Sequence, residues 1–372
     1  MSKLERPHLN IAAASHPGMA RKQNEDRYQV TSFKAGRGAR TSSVLAVLCD
    51  GIGGHRAGEV AAQMGVSLIS EQIENNSTAD PIQTMRAAIT SASDAIYKAS
   101  LSEQGRSGMG ATCACAWVIG KRLYTANLGD SRIYLLREKH LVQVSTDHTW
   151  VQEAIDAGLI TDRDSVEHPN AHVIRRYLGS KATPEPDFRL WFFADEQDED
   201  ALENQGLALK PGDRILLCSD GLTDLVSDDE IRDVILTEPA DRVPQILIDL
   251  ANQRGGHDNT TIVLLGVPSK GKASSGSRPK RHWKAGCLAA VVVISLLVAA
   301  VLIGNRWWRT PQREQEKATP TETLSAPFEE PPEHFTLVPS LTPSLQEESF
   351  TPEATPAFSP SRTPWPTHTP GQ

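Results

Sequence analysis

Three aspartates stand where apolar runs meet tight turns. Val44-Leu45-Ala46-Val47-Leu48-Cys49 carries no charge and runs into Asp50, followed by Gly51-Ile52-Gly53-Gly54-His55. Ile215-Leu216-Leu217-Cys218-Ser219 repeats the pattern and ends in Asp220-Gly221, while Asp258-Asn259-Thr260 precedes another apolar run at 261–265. Such short, partly β-branched runs predict buried strands. A carboxylate buried at a strand end without a partner costs several kcal/mol, so each of these needs one. Asp26 lies beside a further predicted strand, and Asp130 sits in the turn Gly129-Asp130-Ser131. If the strands stack, these acids gather at one edge, where like charges force protonation unless a cation intervenes. Donors that are all oxygen favour Mg²⁺ or Mn²⁺ over zinc. No Gly-x-Ser-x-Gly elbow accompanies them, so a metal-activated water is the simplest nucleophile. Arg21, shortly before Asp26, offers a guanidinium for an anion such as phosphate. On these residues alone, metal-dependent phosphoryl hydrolysis is one reading. Taken singly, 21–27 reads first as a solvated charged loop, and Gly-Asp-Ser first as a plain turn.

The elements that would position these acids are legible from periodicity. Residues 8–15 and 28–33 predict strands on either side of the charged turn. Val60, Met64 and Leu68 recur at helical spacing over 58–73, and Ile82, Met85, Ile89 and Ile96 do so after Pro81, a favoured first-turn residue. Strands are predicted over 111–119, 123–128 and 133–136. The short connections Gly120-Lys121 and Gly129-Asp130-Ser131 predict hairpins, hence antiparallel pairing. Residues 149–183 read as a surface lobe with a short helix at 150–157 and a polar loop at 161–170. Residues 188–193 predict a strand, and 195–203 an exposed acidic turn. Ser227-x-x-Glu230 is a capping box opening a helix, and Gly255-Gly256 ends another over 243–254.

The 372 residues allow one large or two ordinary domains, and the net charge of −8 gives no signature of nucleic-acid binding. The five cysteines form no Cys-x-x-Cys pair, which predicts buried thiols in a reducing compartment. The polar start predicts no secretory signal. Residues 1–268 read as the globular part and 269–284 as a linker that turns basic. Residues 285–304 carry no charge; about 30 Å of helix at that length spans one bilayer. Trp283 and Trp307-Trp308 flank it as interfacial aromatics, and the greater excess of Lys and Arg on its N-terminal side places the globular part in the cytoplasm. Residues 305–372 follow; the stretch from Thr310 holds 13 of the 24 prolines and predicts a disordered extracytoplasmic tail.

Taken together the motifs resemble one family. Arg21 with Asn24-Glu25-Asp26, Asp50-Gly51-Ile52-Gly53-Gly54-His55, Gly110-Ala111-Thr112, Gly129-Asp130-Ser131-Arg132, Asp147-His148, Arg175-Arg176-Tyr177-Leu178-Gly179, Ser219-Asp220-Gly221-Leu222-Thr223-Asp224 and Asp258-Asn259-Thr260 occur in the order found in metal-dependent protein serine/threonine phosphatases of type 2C, in their bacterial form. The resemblance covers 8–268. It implies an α+β fold, a four-layer αββα sandwich of two mainly antiparallel sheets flanked by helices, to which the chain adds one transmembrane helix and a tail. It implies a two-metal centre of Mg²⁺ or Mn²⁺: Asp50 bridging both ions, the Gly51 carbonyl on one, and Asp220 with Asp258 completing the other. Asp26, and Glu25 beside it, would hold metal-bound water, Arg21 would take the substrate phosphate, and Asp130 with Asp220 would form a weaker third site. Asn259 lies beside the ligands. Residues 149–183 match the family's variable flap. Many eukaryotic members carry His directly after the Asp-Gly, proposed as the general acid; Ile52 stands there, and His55 is the nearest histidine in sequence.

The expectation is therefore a single-pass cell-membrane enzyme with a cytoplasmic catalytic domain. It would hydrolyse phosphoserine and phosphothreonine in proteins, with Ser/Thr kinases or their substrates as natural partners. The membrane stalk, which catalysis does not require, suggests an alternative: a signalling receptor or scaffold that uses a phosphatase-like domain to bind phosphoproteins.

Overall fold

The computed structural model describes residues 7–269, apart from 37–39, 54–55, 78–79, 103–106, 166–167 and 194. The chain runs through β1 (Asn10–His16), β2 (Arg27–Ala35), β3 (Thr41–Cys49) and β4 (Gly51–Ile52) into the helices α1 (Arg56–Asn75) and α2 (Pro81–Ser102). Next come β5 (Gly110–Ala111), β6 (Cys113–Ile119), β7 (Arg122–Leu128), β8 (Arg132–Arg137) and β9 (His140–Gln143). The lobe contributes α3 (Trp150–Asp156) and α4 (Asp162–Ser165), and α5 (Asp198–Glu203) follows. The chain closes with β10 (Leu207–Ala208), β11 (Arg214–Cys218), α6 (Asp220–Thr223), α7 (Asp228–Thr237), α8 (Val243–Gln253) and β12 (Thr260–Gly266).

Strand order is β1-β12-β11-β8-β9 in one sheet and β10-β7-β6-β3-β2 in the other, with β4 and β5 as a separate pair. The pairings are antiparallel. Alternation along the strands decides the layering. Val44, Ala46 and Leu48 of β3 pack with Ile133, Leu135, Ile215, Leu217 and Val263 between the sheets. Leu45, Val47 and Cys49 of the same strand turn the other way, onto Val66 and Ile69 of α1 and Met85 and Ile89 of α2. On the second sheet Leu216, Cys218, Ile262 and Leu264 turn outward onto Ile231 and Ile235 of α7 and Leu247 and Ile248 of α8. Three apolar interfaces thus stack helix, sheet, sheet and helix, as expected. Each fully buried Leu or Ile contributes roughly 1.5–3 kcal/mol. The register that puts these side chains inside also fixes where each strand ends, and so where Asp50 and Asp220 emerge. The predicted capping box is present, with Ser227 and Glu230 closing the start of α7.

Four expectations need correction. Gly129-Asp130-Ser131 does not close a hairpin: β7 pairs with β6 and β10, and β8 with β11 and β9. The three residues carry the chain from one sheet to the other. A short connection limits reach, not partner, and β7 and β8 each find their partners within a different sheet. Residues 188–193 form no strand; Asp187 bridges Asn127, and the Leu190 N–H donates to the Ala201 carbonyl. Leu190 and Phe192 satisfy their apolar character by packing into the inter-sheet core. The acidic stretch 195–203 contains α5, whose first turn holds Asp198, Glu199 and Asp200, where the helix dipole favours carboxylates. The polar loop 161–170 contains α4. Short strands β9 and β10 were not anticipated.

Cys49, Cys113, Cys115 and Cys218 are buried free thiols, as expected; Cys287 lies outside the described residues. So do the linker, the apolar stretch 285–304, the tail and His55. Among the described residues no helix is long and apolar enough to cross a membrane.

Candidate metal centre

Asp50 leaves the end of β3 pinned by one residue. Its N–H donates to the Thr112 hydroxyl at 2.8 Å, and its carbonyl accepts from the Thr112 N–H at 2.8 Å. The Thr112 hydroxyl also meets Ser131 Oγ at 2.7 Å, so Asp50 is coupled directly to the crossing turn that carries Asp130. Gly51 follows in β4 against Ala111. A Cβ on Gly51 would lie 2.4 Å from the Gly58 carbonyl and 2.9 Å from that of Glu25. Only glycine lets α1 and the 24–26 loop close in on that backbone.

Asp26 is 2% exposed. Its Oδ2 accepts from the Ser219 hydroxyl at 2.7 Å, and Oδ1 is buried without a hydrogen-bond partner. Ser219 immediately precedes Asp220, so this bond ties the β2 end of one sheet to the β11 end of the other. Asn259 holds the loop from below: its side chain donates to the carbonyls of Pro17 and Gln23 and accepts from the Glu25 N–H at 2.6 Å.

Asp220 opens α6, and its Oδ1 is also buried and unpartnered; so is Oδ1 of Asp130. Burial raises Asp50 well above the ordinary carboxylate range, and the charges of Asp26, Asp220, Asp130 and Asp258 add to it. Burial likewise raises Asp220, reinforced by Asp130, Asp224, Asp258 and Asp26. Asp26 is held at about 6, by burial first, and Asp130 at about 7, by burial and then Asp147. The predicted acids are therefore within one another's field, from both sheets. Asp258 is the exception in pairing: its Oδ2 binds Arg21 Nη2 at 2.7 Å. The predicted phosphate ligand and a predicted metal ligand thus hold each other, with the Arg21 side chain still 58% exposed.

The residues fit a divalent cation centre. Several buried carboxylate oxygens lack donors, the acids around them raise one another, and Gly51 leaves its backbone close to them. Oxygen donors of this kind suit Mg²⁺ and Mn²⁺. At one margin an imidazole joins in: His172, Asp220 and Asp224 place one ligand atom each within 4.8 Å of one another.

Comparison with known proteins agrees. The profile of the family Protein phosphatase 2C matches residues 14–154. The serine/threonine protein phosphatase PstP of Mycobacterium tuberculosis is 35% identical over 260 residues, 70% of this chain and 45% of that protein. The serine/threonine phosphatase stp of Listeria welshimeri is 34% identical over 269 residues, 69% of this chain and 96% of that protein. The chain belongs to the protein phosphatase 2C family. It spans less than half the length of the mycobacterial relative. The catalytic domain of PstP, solved in complex with two manganese ions, superposes with a TM-score of 0.56 at 33% identity, covering 70% of this chain and 99% of that one. The phosphatase 2C domain is that of a metal-dependent enzyme of the Mg²⁺ or Mn²⁺ type.

Within this phosphatase domain the sequence reading left four positions without a role. Thr112, Ser131 and Ser219 are small hydroxyl residues beside acids, and they carry the bonds that hold Asp50, Asp130 and Asp26 in place. That adjacency was the available signal. His172 gave none, because its approach to Asp224, at 3.7 Å, depends on how the lobe folds back. Ile52 occupies β4 and carries no titratable group.

Proposed function

We propose that this chain is a membrane-anchored protein serine/threonine phosphatase. The observation that supports it best is the set of three buried, unpartnered carboxylate oxygens, on Asp26, Asp130 and Asp220, drawn from both sheets to one edge. Asp50 with the Gly51 carbonyl, Asp220 and Asp258 would hold two divalent cations, and Asp130 with Asp220 a weaker third. When bound, the cations bring the pKa of water down to near neutrality and take up charge on the phosphoryl oxygens.

The chain's own residues do the rest. Asp26, fixed through Ser219, takes the proton of the attacking water. Glu25, its backbone held by Asn259, borders the same space. Arg21, paired with Asp258, would release it to hold two phosphoryl oxygens through its paired N–H groups, with Asp258 among the residues that would hold a cation. The water oxygen forms a bond to phosphorus as the bond to the seryl or threonyl oxygen breaks, and inorganic phosphate leaves. Ile52 offers no proton at the place where many eukaryotic members carry His, so the leaving oxygen draws its proton from elsewhere in the site.

Membrane attachment rests on the uncharged stretch 285–304 after six basic residues at 270–284. It would confine the enzyme to phosphoproteins at the inner face of the cell membrane, among them Ser/Thr kinases and their targets.

The test is turnover of p-nitrophenyl phosphate and of a phosphothreonine peptide by the full chain in detergent. Release of phosphate that requires Mn²⁺ or Mg²⁺ is expected, and turnover that persists in EDTA would overturn the mechanism. Recovery in the alkaline-carbonate supernatant of the cell envelope would remove the membrane anchor.

A further inference from the structure

A buried polar chain that the reaction does not use converges on the turn bearing Asp130. His148 is 4% exposed. Its ring Nδ1 accepts the Gly129 N–H at 3.1 Å, and its backbone N–H donates to the Gly129 carbonyl at 2.9 Å. Because Nδ1 accepts, the ring proton sits on Nε2, which donates to Asp187 Oδ2 at 3.3 Å. Asp187 is held in turn by Arg189, whose Nε and Nη2 donate to its carboxylate. The Asp187 backbone pairs both ways with Asn127, whose side chain reaches the Gly129 carbonyl. Gly129 sits where only glycine fits. Its φ is +95°, and a Cβ would lie 2.6 Å from Thr112 Cγ2. On the other side, the His148 carbonyl accepts from the Arg175 N–H at 2.8 Å, so the same residue ties down the returning segment of the 149–183 lobe.

We propose that His148, locked in its Nε2–H tautomer by Asp187, is a positioning residue that aims Asp130 at its cation. The inference rests on the phosphatase reading for the identity of that cation. A bare turn of three residues between two sheets has no ladder to set its direction. The imidazole supplies the missing acceptor for the Gly129 N–H, while the backbone N–H of the same residue answers the Gly129 carbonyl. The carboxylate of Asp130, left without a hydrogen bond at Oδ1, then keeps one orientation. Loss of such an outer hydrogen bond typically costs 10–100-fold in metal affinity.

The geometry of the substitutes makes the test selective. The amide oxygen of Asn can replace Nδ1 as acceptor, whereas the longer side chain of Gln places its amide where Nε2 was. Titrate the full chain with Mn²⁺ and read free ion by electron paramagnetic resonance, which separates tight from weak binding. His148→Ala, His148→Gln and Asp187→Asn should each weaken the weak ion by about tenfold or more, leaving the tight ions unchanged. His148→Asn should retain most of the weak-ion affinity. A purely structural role predicts lower melting temperatures with unaltered weak binding in all four variants, and that result overturns the proposal. So does a His148→Asn chain as defective as His148→Ala. Turnover by the wild type together with unchanged weak binding in His148→Ala removes the clamp alone. Absence of turnover with the predicted binding pattern removes the phosphatase reading alone.

Discussion

The two ends of β11 carry the same residue type in opposite circumstances. Asp213 enters the strand 2% exposed and is fully answered: Arg137 donates to both its oxygens and the Lys210 N–H to one. Asp220 leaves the strand with a buried, unanswered Oδ1, and its neighbours Asp130, Asp224, Asp258 and Asp26 all carry its own sign. One end closes its electrostatics inside the chain; the other leaves them to a ligand. Asp187 follows the first pattern. Burial works against its ionisation, but hydrogen bonds from His148 and Arg189 outweigh that and pull it well below the ordinary range. Among the described residues, the buried acids Asp213 and Asp187, which only support structure, are thus partnered. Repulsion is tolerated at the one edge where chemistry needs a cation, the usual signature of a functional cluster.

The largest effect should come from exchanging the roles of the two ends. Asp220→Asn removes a ligand and one repelling charge. Turnover at saturating Mn²⁺ should fall by roughly 10³-fold, equivalent to the several kcal/mol a Lewis acid contributes. The melting temperature in EDTA should stay level or rise. Asp213→Ala should do the reverse. It strands a guanidinium whose side chain is only 13% exposed, at a cost of about 3 kcal/mol for a broken buried pair. Urea unfolding should show the loss, while turnover per folded molecule is unchanged. A drop in EDTA stability for Asp220→Asn comparable to that of Asp213→Ala would erase the distinction between the two ends.

Much of this contrast was legible in the residues, and the illegible part has a physical reason. The positions of Asp50 and Asp220 followed from where an apolar run stops, because a strand buried on both faces must end where charge begins. The alternation within those runs carried the four layers as well. What Arg21 and Arg137 would pair with did not follow. A guanidinium on a long side chain reaches many partners, and only the assembled sheets put Arg21 on Asp258 and Arg137 on Asp213. The crossing of Gly129-Asp130-Ser131 between sheets was misread for the same cause. A turn's sequence states its curvature, whereas the second partner of each of its strands lies far along the chain, β10 for β7 and β11 for β8. The hydroxyls of Thr112 and Ser219 were present in the motifs, yet small polar residues beside acids are too common to mark a clamp without distances.

Next in size is the response to metal. An ion that binds the folded chain at 100 times its Kd adds about 2.7 kcal/mol of stability, or roughly 5–10 °C for a domain of this size. Mn²⁺ should therefore raise the melting temperature of the wild type and of Asp213→Ala alike. The increment should shrink in Asp220→Asn. Differential scanning fluorimetry in EDTA and in Mn²⁺ reads both. An equal increment in Asp220→Asn would place the ions somewhere other than this edge.

The smallest effect is the pH profile, and it reads the two kinds of acid with opposite signs. In EDTA, Asp26 is held at about 6 and Asp130 at about 7, against ~3.9 for an unfolded aspartate. Between about pH 4 and pH 7 the folded chain then binds more protons than the unfolded one, so stability falls as pH rises through that window and is regained on acidification. Asp187 works the other way. Its folded pKa is depressed, so its contribution is complete above ~pH 4 and is lost as pH falls further, through its folded value. Stability in EDTA, read as the melting temperature, should pass through a maximum near pH 4–5 and fall towards pH 7. Saturating Mn²⁺ should abolish the rise between pH 7 and pH 5, because cations then do what protons did, and leave the acid-side fall in place. A profile in EDTA that is flat from pH 4 to pH 7 would mean that the acids beyond β11 are already neutralised within the chain, as Asp213 is. The edge would then have no call on a cation.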